Sequence, residues 1–280
     1  MRKSIVQILK SLACKITVRS ILLIVCAVVF VVSAYMLISY YAQGAREEQV
    51  FRKLAEVVAA SDPSSEPDSA DAHTDAPSET GTSQSEPDIW SVYRELHEQN
   101  QDMEGWVKIE GTAINYPVMY TPNDGDYYLN HGFDRKKAKS GVPFIDQRCS
   151  INPFGTNTII YGHHMKNGTM FADLAKYKDQ KFWEQHPIVR FDTLTAQQQY
   201  VIIAVFQSKI FRSDEDVFKH YNFINAQSQA DFDRYIKNIK ALALYDTGIT
   251  TEYGDELISL VTCDYHDENG QMVVVARKIS

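Results

Sequence analysis

The chain has 280 residues, 44% of them apolar, and a formal net charge of −8; its length exceeds what one ordinary domain needs and leaves room for appendages. Eight acids lie between Ser61 and Asp88, matching that whole net charge, so the remainder is balanced and offers no basic face to a nucleic acid. The cysteines are Cys14, Cys26, Cys149 and Cys263, a usage that agrees with an exported protein without disulfides, although a Cys149–Cys263 bridge stays open on sequence grounds.

Residues 1–20 carry Arg2, Lys3, Lys10, Lys15 and Arg19 and no acid, and 21–41 is a run of 21 residues without a charge. At ~1.5 Å per residue that run spans the ~30 Å hydrocarbon layer of a bilayer. The basic flank predicts a cytoplasmic segment at 1–20 and a signal anchor at 21–41, with everything after Tyr41 outside the cell. A cleaved signal peptide is the rival reading, with Ala42-Gln43-Gly44 as a small-residue cleavage site. Residues 42–60 read as a helical stalk, with Val50, Leu54, Val57 and Val58 on one face. The tract 61–88 is Ser, Pro, Thr, Ala and acid without an aromatic or a base, and predicts a disordered acidic linker.

Residues 89–280 are then the folded domain, long enough for a full core. A helix is expected first, with Ile89, Tyr93, Leu96 and His97 at helical spacing up to a break at Gly105-Trp106. Short apolar runs between turn residues follow: WVKIEG, INYPVMY, VPFID, NTIIYGHH, IVRFD, QQYVIIAVFQSKIF, ELISLVTC and MVVVARKI. This pattern predicts a mainly β fold that closes on itself, with helical insertions at 170–177 and 230–243.

Cys263 ends one apolar run and Asn269-Gly270 precedes the next, as in a β-hairpin. A thiol at a strand end beside a loop suits a nucleophile held on a rigid element, and a small buried hydrophobe is the other reading. In Tyr161-Gly162-His163-His164 the two histidines alternate faces of an extended chain, so one at most looks into a given site. A lone histidine there is either structural or catalytic. No CxxC or HExxH spacing completes a metal set, and the sequence calls for no metal or cofactor.

Five further groups of residues stand along the domain: Gly105-Trp106 with Ile114-Asn115-Tyr116-Pro117-Val118, Asp126 to His131, Tyr161 to Met165, Met170 to Leu174, and Leu260 to Tyr265 with Val273 to Ala276. In this order they resemble the sortases, and in detail the class B sortases of Gram-positive bacteria, across residues 89–280. The resemblance implies a closed sortase-type β-barrel with an N-terminal helix and short helical insertions, preceded by one transmembrane helix. It also implies a cysteine transpeptidase without a cofactor. Such an enzyme cleaves a sorting-signal peptide after threonine, holds the acyl group on Cys263, and passes it to an amine, with His163 moving the protons. The implied partners are surface proteins with a C-terminal sorting signal, of the Asn-Pro-x-Thr type or a relative, and an amine from a cell-wall precursor or a pilin.

The family's third functional residue is an arginine at the start of the strand after the cysteine, and here that slot holds Gln271, which supplies amide donors but no charge. Arg277, six residues on, would sit ~20 Å away along a strand at ~3.3 Å per residue. A tight Asn269-Gly270 hairpin would pair Glu268 with Gln271 and Cys263 with Ala276, turning Arg277 to the opposite face. Arg212 is the other candidate cation. The missing charge leaves a second possibility, a weakened sortase-like domain that binds a peptide or partner without efficient turnover. A hydrolase acting on the same peptides is a third.

Overall fold

The computed structural model describes residues 18–62, 88–264 and 269–280. The basic segment before residue 18 and most of the acidic linker lie outside the described residues, as do Cys14 and His73.

The apolar run and the segment after it form one helix, α1, Val18–Ala60. Large apolar side chains along it, among them Ile24, Phe30, Leu37 and Tyr41, are exposed, Phe30 by 74%, and the helix is long and apolar enough to cross a membrane. Residues 47–280 form one compact unit, so the end of α1 that reads as a stalk is packed from Glu47 onward. Its packing face is Phe51, Leu54, Ala55 and Val58, at helical i, i+3, i+4 and i+7 spacing, while Val50 and Val57 are exposed.

The eight apolar runs become eight strands: β1 Met103–Lys108, β2 Asn115–Met119, β3 Phe144–Ile145, β4 Asn157–Tyr161, β5 Ile188–Thr193, β6 Gln199–Lys209, β7 Leu257–Cys263 and β8 Gly270–Lys278. They close into a barrel in the order β1-β2-β3-β4-β7-β8-β6-β5. β2 with β3 and β4 with β7 run parallel, and the other neighbours are antiparallel. Closure removes the free edges that an open sheet would expose. β8 lies between β6 and β7 and is buried over Gly270–Ala276, which is why it reads as a continuous apolar run.

Helix α2, Ile89–Gln99, lays Ile89, Val92, Tyr93 and Leu96 on the barrel, and the Tyr93 hydroxyl donates to Asp192 Oδ2 at 2.8 Å. The helical insertion expected at 170–177 is a 3-10 helix, Ala172–Lys178, continued by the short α3, Gln180–Gln185. The insertion expected at 230–243 is α4, Gln229–Leu242, capped by Ser228 Oγ accepting from Asp231 N and buried through Phe232, Tyr235, Ile236 and Ile239.

Two local expectations give way to tertiary pairing. Gly105-Trp106 is not a break but lies inside β1, where Gly105 pairs with both Val118 and Thr193; partners on both sides outweigh the weak intrinsic preference of glycine. The β7–β8 hairpin is not the tight Asn269-Gly270 turn either. Cys263 pairs with Gln271 and Leu257 with Arg277, and the connection is closed by Asp264 N donating to Gly270 O at 2.8 Å. The register follows the ladder that β8 shares with β6, from Tyr200↔Lys278 to Lys209↔Gly270, because a slip of one residue would turn every buried side chain outward.

One buried group is poised against acid. His220 is 1% exposed, sits against the rings of Phe206 and Tyr221, and neither ring nitrogen has a hydrogen-bond partner among the described residues. Burial pulls its pKa from 6.5 down to about 4, so the folded state holds it neutral while the unfolded chain takes up the proton. Its contribution is complete above the unfolded value near 6.5 and is lost as pH falls from there towards 4, by about 3 kcal/mol. Urea unfolding at pH 7 and pH 4.5 is expected to show this loss in the wild type and a smaller one in His220→Phe. Equal losses in both would refute it.

Candidate active site

Parallel pairing of β4 and β7 brings the two halves of the site together. Ile160 pairs with Leu260 and Tyr161 with Val261, and Gly162 N donates to Val261 O at 3.0 Å. Both strands end on the same rim of the barrel, and His163, two residues beyond β4, and Cys263, the last residue of β7, line one cavity there. Gly162 is needed at that step: a Cβ there would lie 2.6 Å from the Phe171 ring, which packs under the chain as it leaves β4.

Cys263 is exposed with a free thiol, and Cys149 is buried with a free thiol of its own, so the bridge left open by the sequence is absent. Burial pushes the Cys149 thiol up to about 11, and its sulfur accepts from Ile159 N at 3.4 Å inside the core. The two cysteines therefore divide the two readings that a lone thiol allows: Cys149 is the buried small hydrophobe and Cys263 the accessible group.

His163 is half-buried and its Nε2 lies 2.7 Å from Leu129 O. A carbonyl only accepts, so Nε2 carries the hydrogen in the neutral ring and Nδ1 is left as the base. His164 turns away and puts Nδ1 3.0 Å from the carbonyl oxygen of Cys263, a structural contact with the end of β7.

Cys263, His163 and Gln271 line one cavity of about 440 Å³, whose other walls include Leu129, Phe144, Arg148 and Tyr221. Because Asp264 and Gly270 form the hydrogen-bonded pair, Cys263 and Gln271 are the neighbouring non-bonded pair, whose side chains approach most closely. Gln271 is 8% exposed, and its Oε1 is buried with no hydrogen-bond partner among the described residues. An unsatisfied buried amide costs on the order of 1–3 kcal/mol, which a ligand with a matching group can recover.

Neither cation named from the sequence reaches this cavity. Arg277 is at the far end of β8, 3.7 Å from Asp255, and Arg212 is exposed and paired with Asp214. The lysine or arginine that does line it is Arg148, on the loop after β3. Its Nε and Nη2 donate to the two Asp146 oxygens at 2.9 and 2.6 Å, and Nη2 also donates to Tyr221 O at 2.7 Å. Burial alone would raise the Asp146 pKa, but the Arg148 hydrogen bonds outweigh it and the carboxyl sits below its usual value. Sequence reasoning missed Arg148, since nothing near it in the chain marks it as facing Cys263. It also missed Asp264, directly after the thiol and 6% exposed, which is held by Lys178 at 2.8 Å and by Gln207 Nε2 at 2.8 Å and so anchors the end of β7.

A free thiol and an imidazole near the ends of neighbouring parallel strands, in the wall of a half-open groove, are the parts a cysteine enzyme of the acyl-transfer class needs. Comparison with known proteins narrows this class. Residues 107–279 match the family model described as the sortase domain, and the chain therefore belongs to the sortase family. It is similar to sortase B of Listeria monocytogenes, 34% identical over 191 residues that cover 67% of this chain and 74% of that protein. It is also similar to the solved sortase B–substrate complex of Staphylococcus aureus, with a TM-score of 0.60 and 28% identity over 68% of this chain and 85% of that one. A sortase B solved with triglycine matches with a TM-score of 0.61 and 28% identity, over 69% and 87% of the two chains. The protein is a sortase-type cysteine transpeptidase of the class B kind, built on the barrel that its sequence pattern predicts.

Proposed function

We propose that this enzyme cleaves a sorting-signal peptide after threonine, holds the acyl group as a thioester on Cys263, and transfers it to an amine, so linking surface proteins to the cell wall or joining pilin subunits. The observation that carries the reading is the placing of Cys263 and His163 on adjoining strand ends in the wall of one cavity. His163 Nδ1 takes the thiol proton as the Cys263 sulfur attacks the threonine carbonyl, and the resulting oxyanion collapses as the imidazolium gives that proton to the leaving amine. The incoming amine then gives a proton to His163 Nδ1 as it attacks the thioester, and the C–S bond breaks to release Cys263, whose sulfur takes that proton back. The amide of Gln271, cross-strand from the thiol, donates to the oxyanion in place of the family's arginine, and Arg148 adds a pinned guanidinium whose Nη1 has no partner among the described residues. Apolar walls, Leu129, Phe144 and Val261 among them, help an amine compete with water. The similar structures include one solved with a substrate and one with triglycine, whose free amino terminus is the kind of amine acceptor proposed here.

Residues 21–41 serve as an uncleaved membrane anchor in this reading, with 1–20 in the cytoplasm, the acidic tract beyond Asp62, a residue itself buried and paired with Arg190, as a solvated connection, and the barrel outside the cell; the basic flank and the exposed apolar belt of α1 support it.

Incubation with Pro-x-Thr peptides, with and without glycine-type and lysine-type amines, tests the proposal. Amine-dependent transfer product is expected from the wild type, and Gln271→Arg is expected to change kcat/KM by less than about tenfold, because the amide already donates. The uncharged Gln271 also motivates the second reading, a weakened domain that binds without efficient turnover. Near-zero wild-type turnover with a gain of about a hundredfold in Gln271→Arg would favour it. Acid product despite excess amine would mean a hydrolase.

A further inference from the structure

We infer that Glu47 of α1 is a positioning residue for His163, and that the end of α1 packed on the barrel is part of the catalytic apparatus rather than a passive stalk. Glu47 Oε1 accepts from Lys139 N at 3.3 Å, and Oε2 accepts from Ser140 N at 3.1 Å and from Ser140 Oγ at 2.7 Å. Three donors on one carboxylate fix the loop at 139–140. The next residue, Gly141, has φ +58°, and a Cβ there would lie 2.4 Å from Tyr128 O and 2.8 Å from Leu129 O, so the loop presses directly on those two carbonyls. Val142 N donates to Tyr128 O at 3.0 Å and closes the contact. Leu129 O is the acceptor that holds His163 Nε2 at 2.7 Å. Glu47 thus reaches the imidazole through a single loop.

A second brace starts one turn along the same helix face. The Phe51 ring meets the Tyr116 ring edge-on, with centroids 5.6 Å apart. Tyr116 Oη accepts from Met170 N at 3.0 Å, which holds Met170 at φ +59°, and Phe171 N donates to His163 O at 2.9 Å. The first brace sets the ring of His163 and the second its backbone. Neither touches Gln271 or Arg148, so loosening them disturbs proton transfer more than peptide binding.

This inference rests on His163 being the proton-transfer group. The test uses the full chain in detergent micelles and peptide cleavage by the wild type, Glu47→Gln, Ser140→Ala and the double variant, each also made in a His163→Ala background. Glu47→Gln and Ser140→Ala are each expected to lower kcat roughly tenfold with KM within about twofold, the scale set by a small misplacement of a catalytic group. The double variant is expected to be no slower than either single one, and Glu47→Gln is expected not to change the residual cleavage by His163→Ala. An unchanged kcat in Glu47→Gln, an effect on KM alone, or an equal drop in the His163→Ala background overturns the positioning role. Phe51→Leu, which leaves the Glu47 contacts alone, is expected to lower kcat in the same direction, so a folding defect in one variant does not decide the matter. Wild-type cleavage rates in His163→Ala would instead overturn the reading of His163.

Discussion

Cys263→Ala is expected to end peptide cleavage and transfer, with a loss of at least about three orders of magnitude in kcat, the scale on which removal of a nucleophile acts. The expectation rests on exposure and position together. The thiol is at the open end of β7, on the wall of the cavity that also holds His163. Cys149, the other described thiol of the barrel, is 3% exposed, and burial pushes it up to about 11, so it is protected both by access and by its protonation state. A thiol-directed reagent applied to the folded protein should therefore label Cys263 and leave Cys149 unmodified, and peptide mass mapping reads the difference. Transfer that persists in Cys263→Ala, or labelling confined to Cys149, would sink the mechanism.

His163→Ala is expected to lower kcat by about 10²–10⁴, the usual range for a lost general acid–base group. His164→Ala should cost far less, because its imidazole meets the carbonyl of Cys263 and not the cavity. Comparing the two neighbours is a sharp test. Adjacent residues of extended chain face opposite ways, and it is His163, with Nε2 held by Leu129 O and Nδ1 left as the base, that lines the cavity, while His164 does not. A larger effect from His164→Ala than from His163→Ala would reverse the assignment. So would a pH profile of kcat unchanged by His163→Ala, since a histidine that moves protons both ways leaves its titration in the profile.

The consequence of Gln271 for the electrostatics is narrower. A guanidinium in this slot would bring a second cation to a cavity whose wall already carries Arg148, held by Asp146. An amide brings two hydrogen-bonding groups without charge, and its buried Oε1 can accept from a substrate N–H, which an arginine cannot do.

Much of the barrel was legible along the chain. Each of the eight strands overlaps an apolar run, β1 starting three residues ahead of its run at Trp106, and α2 and α4 overlap runs at helical spacing. The helix from Val18 carries the uncharged stretch, long and apolar enough to cross a membrane. These features depend on the sequence alone, because periodicity and the length of an apolar run are local properties. Cys263 and His163 were named together only through the resemblance, and their roles are those proposed for the enzyme; the thiol by itself was ambiguous between core and catalyst. What the tertiary structure decided is everything that depends on which strands adjoin. The β6–β8 ladder, not the Asn269-Gly270 dipeptide, set the hairpin register and put Gln271 opposite Cys263. Parallel pairing of β4 with β7 brought His163 and Cys263, 100 residues apart in the chain, into the wall of one cavity. Arg148 entered the cavity and Arg277 and Arg212 did not, and Glu47 found Ser140. Contacts of this kind join residues far apart in sequence, where no local pattern marks them, and they exist only once the closed barrel fixes which surfaces meet.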